Sequence, residues 1–337
     1  MSFRLHLCAC FLWLCCGLGL CAAEDPVWEV VHVDGRDHVT ARSMLRFYGF
    51  TNLRREGRKV VLENQKVLME MTVGDQVCIM NGVKFVFSNP VVDGEGQVLV
   101  SLMDLAKLID PVLRPNFIRN AGDFRTVIID PGHGGKDPGA TNALGKEALY
   151  NLQVAQRLKA KLEAGGYGVI MTRNDDRFLS LQQRVDLANA VQQNAIFISI
   201  HFNSGGPDAR GIETFTLSPP GVAHYGRGPI PADQKLRVGN LHDSANIALA
   251  TSVHGSVLRR LGRQSFDRGI KRARFNVLSG VKHPAILLEG GFMTHPLESR
   301  LLASEVYQDA LVTGIVEAIA KYRFAVSVKP VAHQVRP

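Results

Sequence analysis

The chain is almost without cysteine once its first stretch is passed. Cys8, Cys10, Cys15, Cys16 and Cys21 lie together near the start, and only Cys78 remains among the other residues. A single thiol forms no internal disulfide, and no Cys-x-x-Cys pair offers a metal site. After residue 23 no apolar run is long enough to cross a bilayer. There is no internal repeat and no long low-complexity segment, which sets aside solenoids and biased linkers. Wholesale disorder is excluded too, because 46% of the 337 residues are apolar and supply a sizeable core. The formal net charge of +8 suits a nucleic acid, an anionic lipid or an anionic polymer equally, so charge alone does not choose a partner.

What is present begins with a leader. Arg4 and His6 precede the apolar run LCACFLWLCCGLGL, and Cys21-Ala22-Ala23 stands before Glu24-Asp25. This reads as a secretory signal over residues 1–23, cleaved after Ala23. A retained anchor is the weaker reading because the run is short for a bilayer. Leu20 is too large for a good lipoprotein signal at Cys21. The mature chain is expected to be exported and free of disulfides.

Two regions follow. Residues 27–115 alternate short strand patterns (WEVVHV, KVVLEN, KVLMEMTVG, KFVFSN) with two helix patterns, ARSMLRFYGF and SLMDLAKLID. This predicts a small α+β domain with a structural or targeting role. The second helix should open at Ser101 and stop before Pro111. VLRPNFIRNAGDF reads as a linker. From residue 125 to 322, strand and helix patterns alternate in the rhythm of a three-layer α/β/α domain with a largely parallel sheet. Residues 299–322 should form its last helix, and 323–337 a flexible tail. SPPGVAHYGRGPIPADQKLRVGN, after the strand GIETFTL, is too rich in proline and glycine for regular structure and is expected as a lid or wall near a site.

The chemistry concentrates at element ends. His133 follows the strand VIID inside the glycine-rich turn DPGHGGKDPGA, and His201 follows the strand AIFISI. In an open parallel sheet both reach the carboxyl edge, where such folds place ligands. Glu147 opens the helix after the turn, and Glu289 ends the strand AILLE. A carboxylate behind four apolar residues is costly unless paired, hydrogen-bonded or metal-bound. Two imidazoles and a carboxylate suit zinc, with a second carboxylate to handle protons. The spacing alone is no compact zinc motif. A phosphate loop is disfavoured, because HGGKDPGA lacks the GKS or GKT ending and Asp137 would repel the anion.

DPGHGGKDPGA, Glu147, SIHFN and LLEGGF, in that order, resemble the zinc-dependent N-acetylmuramoyl-L-alanine amidases that cleave bacterial peptidoglycan. The resemblance covers roughly residues 125–322. It implies that His133, Glu147 and His201 bind zinc and that Glu289 is the catalytic carboxylate. SIHFN stands where the family often has SIHAN, and Gly290 follows Glu289; neither departure removes a ligand. The implied reaction is hydrolysis of the amide between N-acetylmuramic acid and L-alanine, in the periplasm or extracellular envelope. The implied partners are peptidoglycan or muropeptides, with no nucleic acid. A zinc peptidase acting within stem peptides, and a non-catalytic wall-binding or regulatory protein, are the alternatives. An envelope regulatory protein is a further partner compatible with the insertion.

Other residues carry smaller expectations. Asn203 and Ser204 are candidates for substrate binding. Arg173 should support the rim, and Arg184 should form a structural ion pair. Lys271-Arg272-Ala273-Arg274 reads as a solvated charge run, whereas Phe275 to Leu278 resembles a family stretch close to the site. His224, His242, His254, His283 and His295 have no strong claim as ligands. Residues 27–115 resemble the small α+β domain at the N-terminus of copper amine oxidases, with no copper chemistry carried over.

Overall fold

Short apolar runs punctuated by turn residues give nine strands before residue 102: β1 (Val30–Val33), β2 (Arg36–Thr40), β3 (Asn52–Glu56), β4 (Lys59–Glu63), β5 (Leu68–Thr72), β6 (Val77–Met80), β7 (Val83–Val86), β8 (Val92–Gly94) and β9 (Gln97–Ser101). The computed structural model describes residues 28–329; the expected signal at 1–23 and residues 330–337 lie outside the described residues. Thr40 opens α1 (Ala41–Tyr48) by accepting from the Ser43 N–H, and Gly49 closes it in the left-handed region at φ 64°. Ser101 caps α2 (102–113) by accepting from the Asp104 N–H. Contrary to expectation, α2 does not stop before Pro111. Leu105–Ile109 widens into a π-turn and Asp110–Leu113 continues the helix. Pro111 has no N–H to offer the Lys107 carbonyl, which instead accepts from Arg272 Nη2 at 3.0 Å.

The remaining elements are β10 (Thr126–Pro131), the hairpin β11 (Thr141–Asn142) and β12 (Gly145–Lys146), α3 (Glu147–Ala164), β13 (Gly168–Met171), α4 (Leu181–Asn189), β14 (Ala195–Asn203), β15 (Ile212–Leu217), α5 (Asp243–Leu261), β16 (Asp267–Ala273), α6 (Asn276–Gly280), β17 (Ala285–Phe292), α7 (Pro296–Leu302) and α8 (Glu305–Ser327). Alternation along β14 buries Ile196, Ile198 and Ile200 with Val154 and Leu158 of α3. The opposite face packs Phe197 with Val185 and Ala188 of α4 and Val277 of α6. Helices therefore cover both faces. Among the described residues, no helix is long and apolar enough to cross a membrane.

The sheet is mixed, not largely parallel. Its order is β13-β10-β14-β17-β15-β16-β7-β6-β5-β4-β3. β13, β10, β14 and β17 are parallel, but β15 runs antiparallel to β17. The reason is the short link between Asn203 and Ile212, which has no room for a crossover helix and sends the chain straight back. The reversal also moves the proline-rich insertion. β15 begins beside the end of β17, with Glu213 opposite Glu289, so residues after Leu217 leave from the other edge of the sheet. There Arg274 donates to the Pro219 and Val222 carbonyls, and Asp233 binds Arg227. The insertion is a fastened loop whose His224 ring packs 5.4 Å from that of Phe275, so it stands as a wall behind that stretch and not as a lid over the histidines.

The N-terminal strands join this same sheet. β7 pairs in parallel with β16 through Phe85 and Ile270, and Asp267 Oδ2 accepts from the Lys84 N–H at 2.8 Å. One apolar cluster runs from Phe85 and Phe87 to Val253 and Val257 of α5. The expected solvated charge run is in fact part of this join. Lys271 and Arg272 are buried, and Arg272 reaches Ser88, Asp104 and the Lys107 carbonyl. The C-terminal helix pattern splits at Ala303-Ser304 into two helices and runs past Tyr322 to Ser327, because Val326 is buried and Arg323 pairs with Asp123.

Removing one partner from a buried ion pair strands the other in low dielectric. Arg272→Met should therefore destabilise the chain by about 3–5 kcal/mol in urea denaturation, since Asp104 and the Lys107 carbonyl lose their cation. Adding Asp104→Leu should not recover that loss, because the Asp104 carboxylate also accepts from the Ser88 and Asn89 N–H groups and the Ser101 hydroxyl, which a leucine would leave unpaired.

Candidate active site

The glycine-rich turn exists because its backbone must do what side chains would block. His133 itself adopts φ 59°, a left-handed conformation uncommon for a residue with a Cβ. Two buried arginines hold it there. Arg173 donates to the carbonyls of Pro131 (2.9 Å), Gly132 (2.7 Å) and Ala148 (2.8 Å). Arg184 donates to the Pro131 carbonyl (2.7 Å), the His133 carbonyl (2.6 Å) and Asp130 Oδ1 (2.7 Å). Asp130 is completed by Thr172 and Ser199. Arg184 is thus the structural ion-pair residue expected, and Arg173 supports the rim through carbonyls alone among its side-chain bonds.

The turn, the start of α3 and the end of β14 bring His133, Glu147 and His201 together. One ligand atom from each lies within 4.8 Å of the others, the sole such group of three among the described residues. Glu147 Oε1 stands 3.1 Å from His133 Nε2 and 2.9 Å from His201 Nδ1. The other ring nitrogen of His133 binds Asp137 Oδ2 at 2.8 Å, which fixes the ring and leaves Nε2 free to ligate. Burial alone would raise the Glu147 carboxyl, but the two imidazoles hold it well below the usual carboxylate range. Burial alone would lower His133, but Glu147 and Asp137 raise it. The cluster is therefore an anion drawn between two nitrogen donors, a set suited to a divalent metal with an open position.

Close approach requires the glycines. A Cβ at Gly132 would stand 2.1 Å from His201 Cε1, and one at Gly139 would stand 2.6 Å from Glu147 Oε2. The space beside the cluster is a cleft of about 500 Å³, lined by Phe178, Leu179, Leu181, Phe275, Val277 and Glu289 among others. Glu289 is the cross-strand partner of His201. Its Oε2 is buried without a protein partner, and burial, with Glu147 and Glu213 nearby, pushes its carboxyl well above the ordinary range.

Of the four residues singled out for chemistry, His133, His201 and Glu289 line this cleft, Glu147 is buried against both histidines, and Phe275 and Val277 line it as expected. Asn203 and Ser204 are placed differently. Asn203 binds Glu213 Oε2 at 3.1 Å and its Oδ1 accepts from the Ser204 N–H, and neither residue lines the cleft. His224, His242, His254, His283 and His295 have bonds elsewhere, such as His254 to Thr214 and Asp267 and His283 to the Ala188 carbonyl. Sequence reasoning passed over Asp137 as the partner of His133 and Glu213 as the neighbour of Glu289. Glu213 carried the same signal as Glu289, a lone carboxylate in an apolar strand.

Residues 127–321 match a family model described as N-acetylmuramoyl-L-alanine amidase. AmiC of Neisseria meningitidis, an N-acetylmuramoyl-L-alanine amidase, is 32% identical over 240 residues, covering 65% of this chain and 57% of its own length. AmiA of Escherichia coli, of the same description, is 29% identical over 226 residues, covering 60% of this chain and 78% of its own. The solved catalytic domain of the amidase CwlV from Bacillus (Paenibacillus) polymyxa is 31% identical with a TM-score of 0.50, covering 60% of this chain and 99% of that one.

Gly132→Ala tests whether the turn serves the cluster. The added methyl must displace the His201 ring. Zinc affinity, measured by equilibrium dialysis, should fall about 10-fold or more while the circular dichroism spectrum stays native.

Proposed function

Because the chain belongs to the N-acetylmuramoyl-L-alanine amidase family, we propose that it hydrolyses the amide joining N-acetylmuramic acid to L-alanine in peptidoglycan, with zinc held by His133, Glu147 and His201. The observation that carries the reading is the convergence of those three ligand atoms beside the unpartnered Oε2 of Glu289 in one cleft. The chemistry a bound zinc supplies is polarisation of the scissile carbonyl and acidification of the attacking water.

The chain's own residues do the rest. Asp137 holds the Nδ1–H of His133, and the two arginines hold the backbone that presents the ring. Glu289 accepts the water proton at Oε2 and passes it to the leaving nitrogen, so one carboxylate serves as base and then acid. The apolar wall of Phe178, Leu179 and Phe275 excludes bulk water from that transfer. Action in the periplasm or extracellular envelope follows from the leader expected at residues 1–23. The N-terminal strands extend the catalytic sheet through the pairing of β7 with β16.

Purified chain incubated with muropeptides should release intact stem peptide, seen by mass; cleavage only within the peptide or only between sugars would sink the proposal. His133→Ala and His201→Ala should each lower zinc content and activity together. Glu289→Gln should keep zinc and lose about 10²–10⁴-fold in kcat, because an amide cannot take the water proton. Normal zinc in His201→Ala would contradict the ligand assignment.

A further inference from the structure

We propose that Arg268, backed by Lys271 and Glu213, forms a subsite for a carboxylate of the departing stem peptide; this rests on the amidase reading above. The subsite is built by an irregularity in β16. Ile212 pairs with Asp267 and Thr214 with Ile270, so two steps along β15 match three along β16. The surplus is a bulge, with Gly269 at φ 93° and its N–H donating to Asp267 Oδ1 at 2.7 Å. Regular alternation would place Arg268 on the face of Ile270, which lies in the apolar core. The bulge turns it to the face of Lys271 instead.

There the two cations meet one carboxylate. Arg268 Nε and Lys271 Nζ both donate to Glu213 Oε1, and Asn203 takes Oε2. Lys271 and Glu213 are buried, their side chains 4% and 6% exposed. Arg268 is 37% exposed, with its guanidinium 4.8 Å from the Phe292 ring centroid. Among the described residues its two terminal nitrogens have no hydrogen-bond partner. Lys271 and Glu213 cancel, and the guanidinium is left over at the sheet edge where β17 ends. A planar guanidinium with free terminal nitrogens is the group that reads a carboxylate.

The position selects the ligand. His201, Glu289 and Glu213 are successive cross-strand partners, with β16 next. With the muramoyl side placed toward the histidines, the departing peptide lies on the β15–β16 side of Glu289. β16 is two strands from Glu289, roughly 10 Å, which is the reach of about two to three extended residues. The second stem residue, bearing either a free carboxylate or its amide, falls in that range.

The test uses two muropeptides that differ only in whether this second residue carries a carboxylate or a carboxamide. The unaltered chain should show a KM about 10-fold lower for the acid, the scale of a charge-assisted hydrogen bond. Arg268→Gln should bring the ratio of the two KM values to about one, with zinc content retained, and Arg268→Lys should restore part of the preference. Equal KM values in the unaltered chain would overturn the subsite whether or not the variant folds. So would an Arg268→Gln variant that loses kcat on both substrates while keeping the KM ratio, since Arg268 would then act only through Glu213. No release of stem peptide from either substrate by the unaltered chain would overturn the amidase reading and the subsite together.

Discussion

Two guanidiniums inside the protein hold the turn on which everything else depends. A histidine at positive φ, flanked by glycines, has no intrinsic reason to stay in one place. Arg173 and Arg184 donate to the carbonyls of three consecutive residues, Pro131, Gly132 and His133. Those oxygens have lost the sheet partners they would have in a continuing strand, and the arginines replace them. Burial makes the arrangement stiff as well as costly, because neither cation can exchange its carbonyls for water. The imidazole is thereby aimed before any metal arrives.

A second row of charge runs across the sheet from the first. Asp130, His201, Glu289, Glu213 and Lys271 come from five neighbouring strands and share the face that carries the cleft. Each is tied to the next element by a hydrogen bond or by strand pairing. The cleft is thus one side of an extended polar seam, and its apolar wall of Phe178, Leu179 and Phe275 stands over that seam.

Much of this was legible because element ends are legible. An apolar run followed by a polar residue locates the sheet edge, and that reasoning brought His133, His201 and Glu289 to one rim. The alternation of Ile196, Ile198 and Ile200 likewise named the buried face of β14. What escaped was whatever depends on direction or on distant partners. The sequence GIETFTL reads the same whether the strand runs up or down, so the edge from which the insertion leaves was invisible. KRAR looks solvated by composition, but its partners Asp104 and Ser88 lie more than 160 residues away. The bulge at Gly269 has only a glycine to announce it.

The continuous sheet carries a consequence for how this chain survives at high concentration. A catalytic region cut at residue 125 would present β16 as a bare edge, with open N–H and C=O groups ready to template another molecule. The N-terminal meander covers that edge and moves the exposed boundary out to β3. That strand reads NLRRE, short, mostly exposed and charged, and unattractive to a second strand. The meander is in this sense a guard against self-association, built into the same hydrogen-bonded layer that bears the active site.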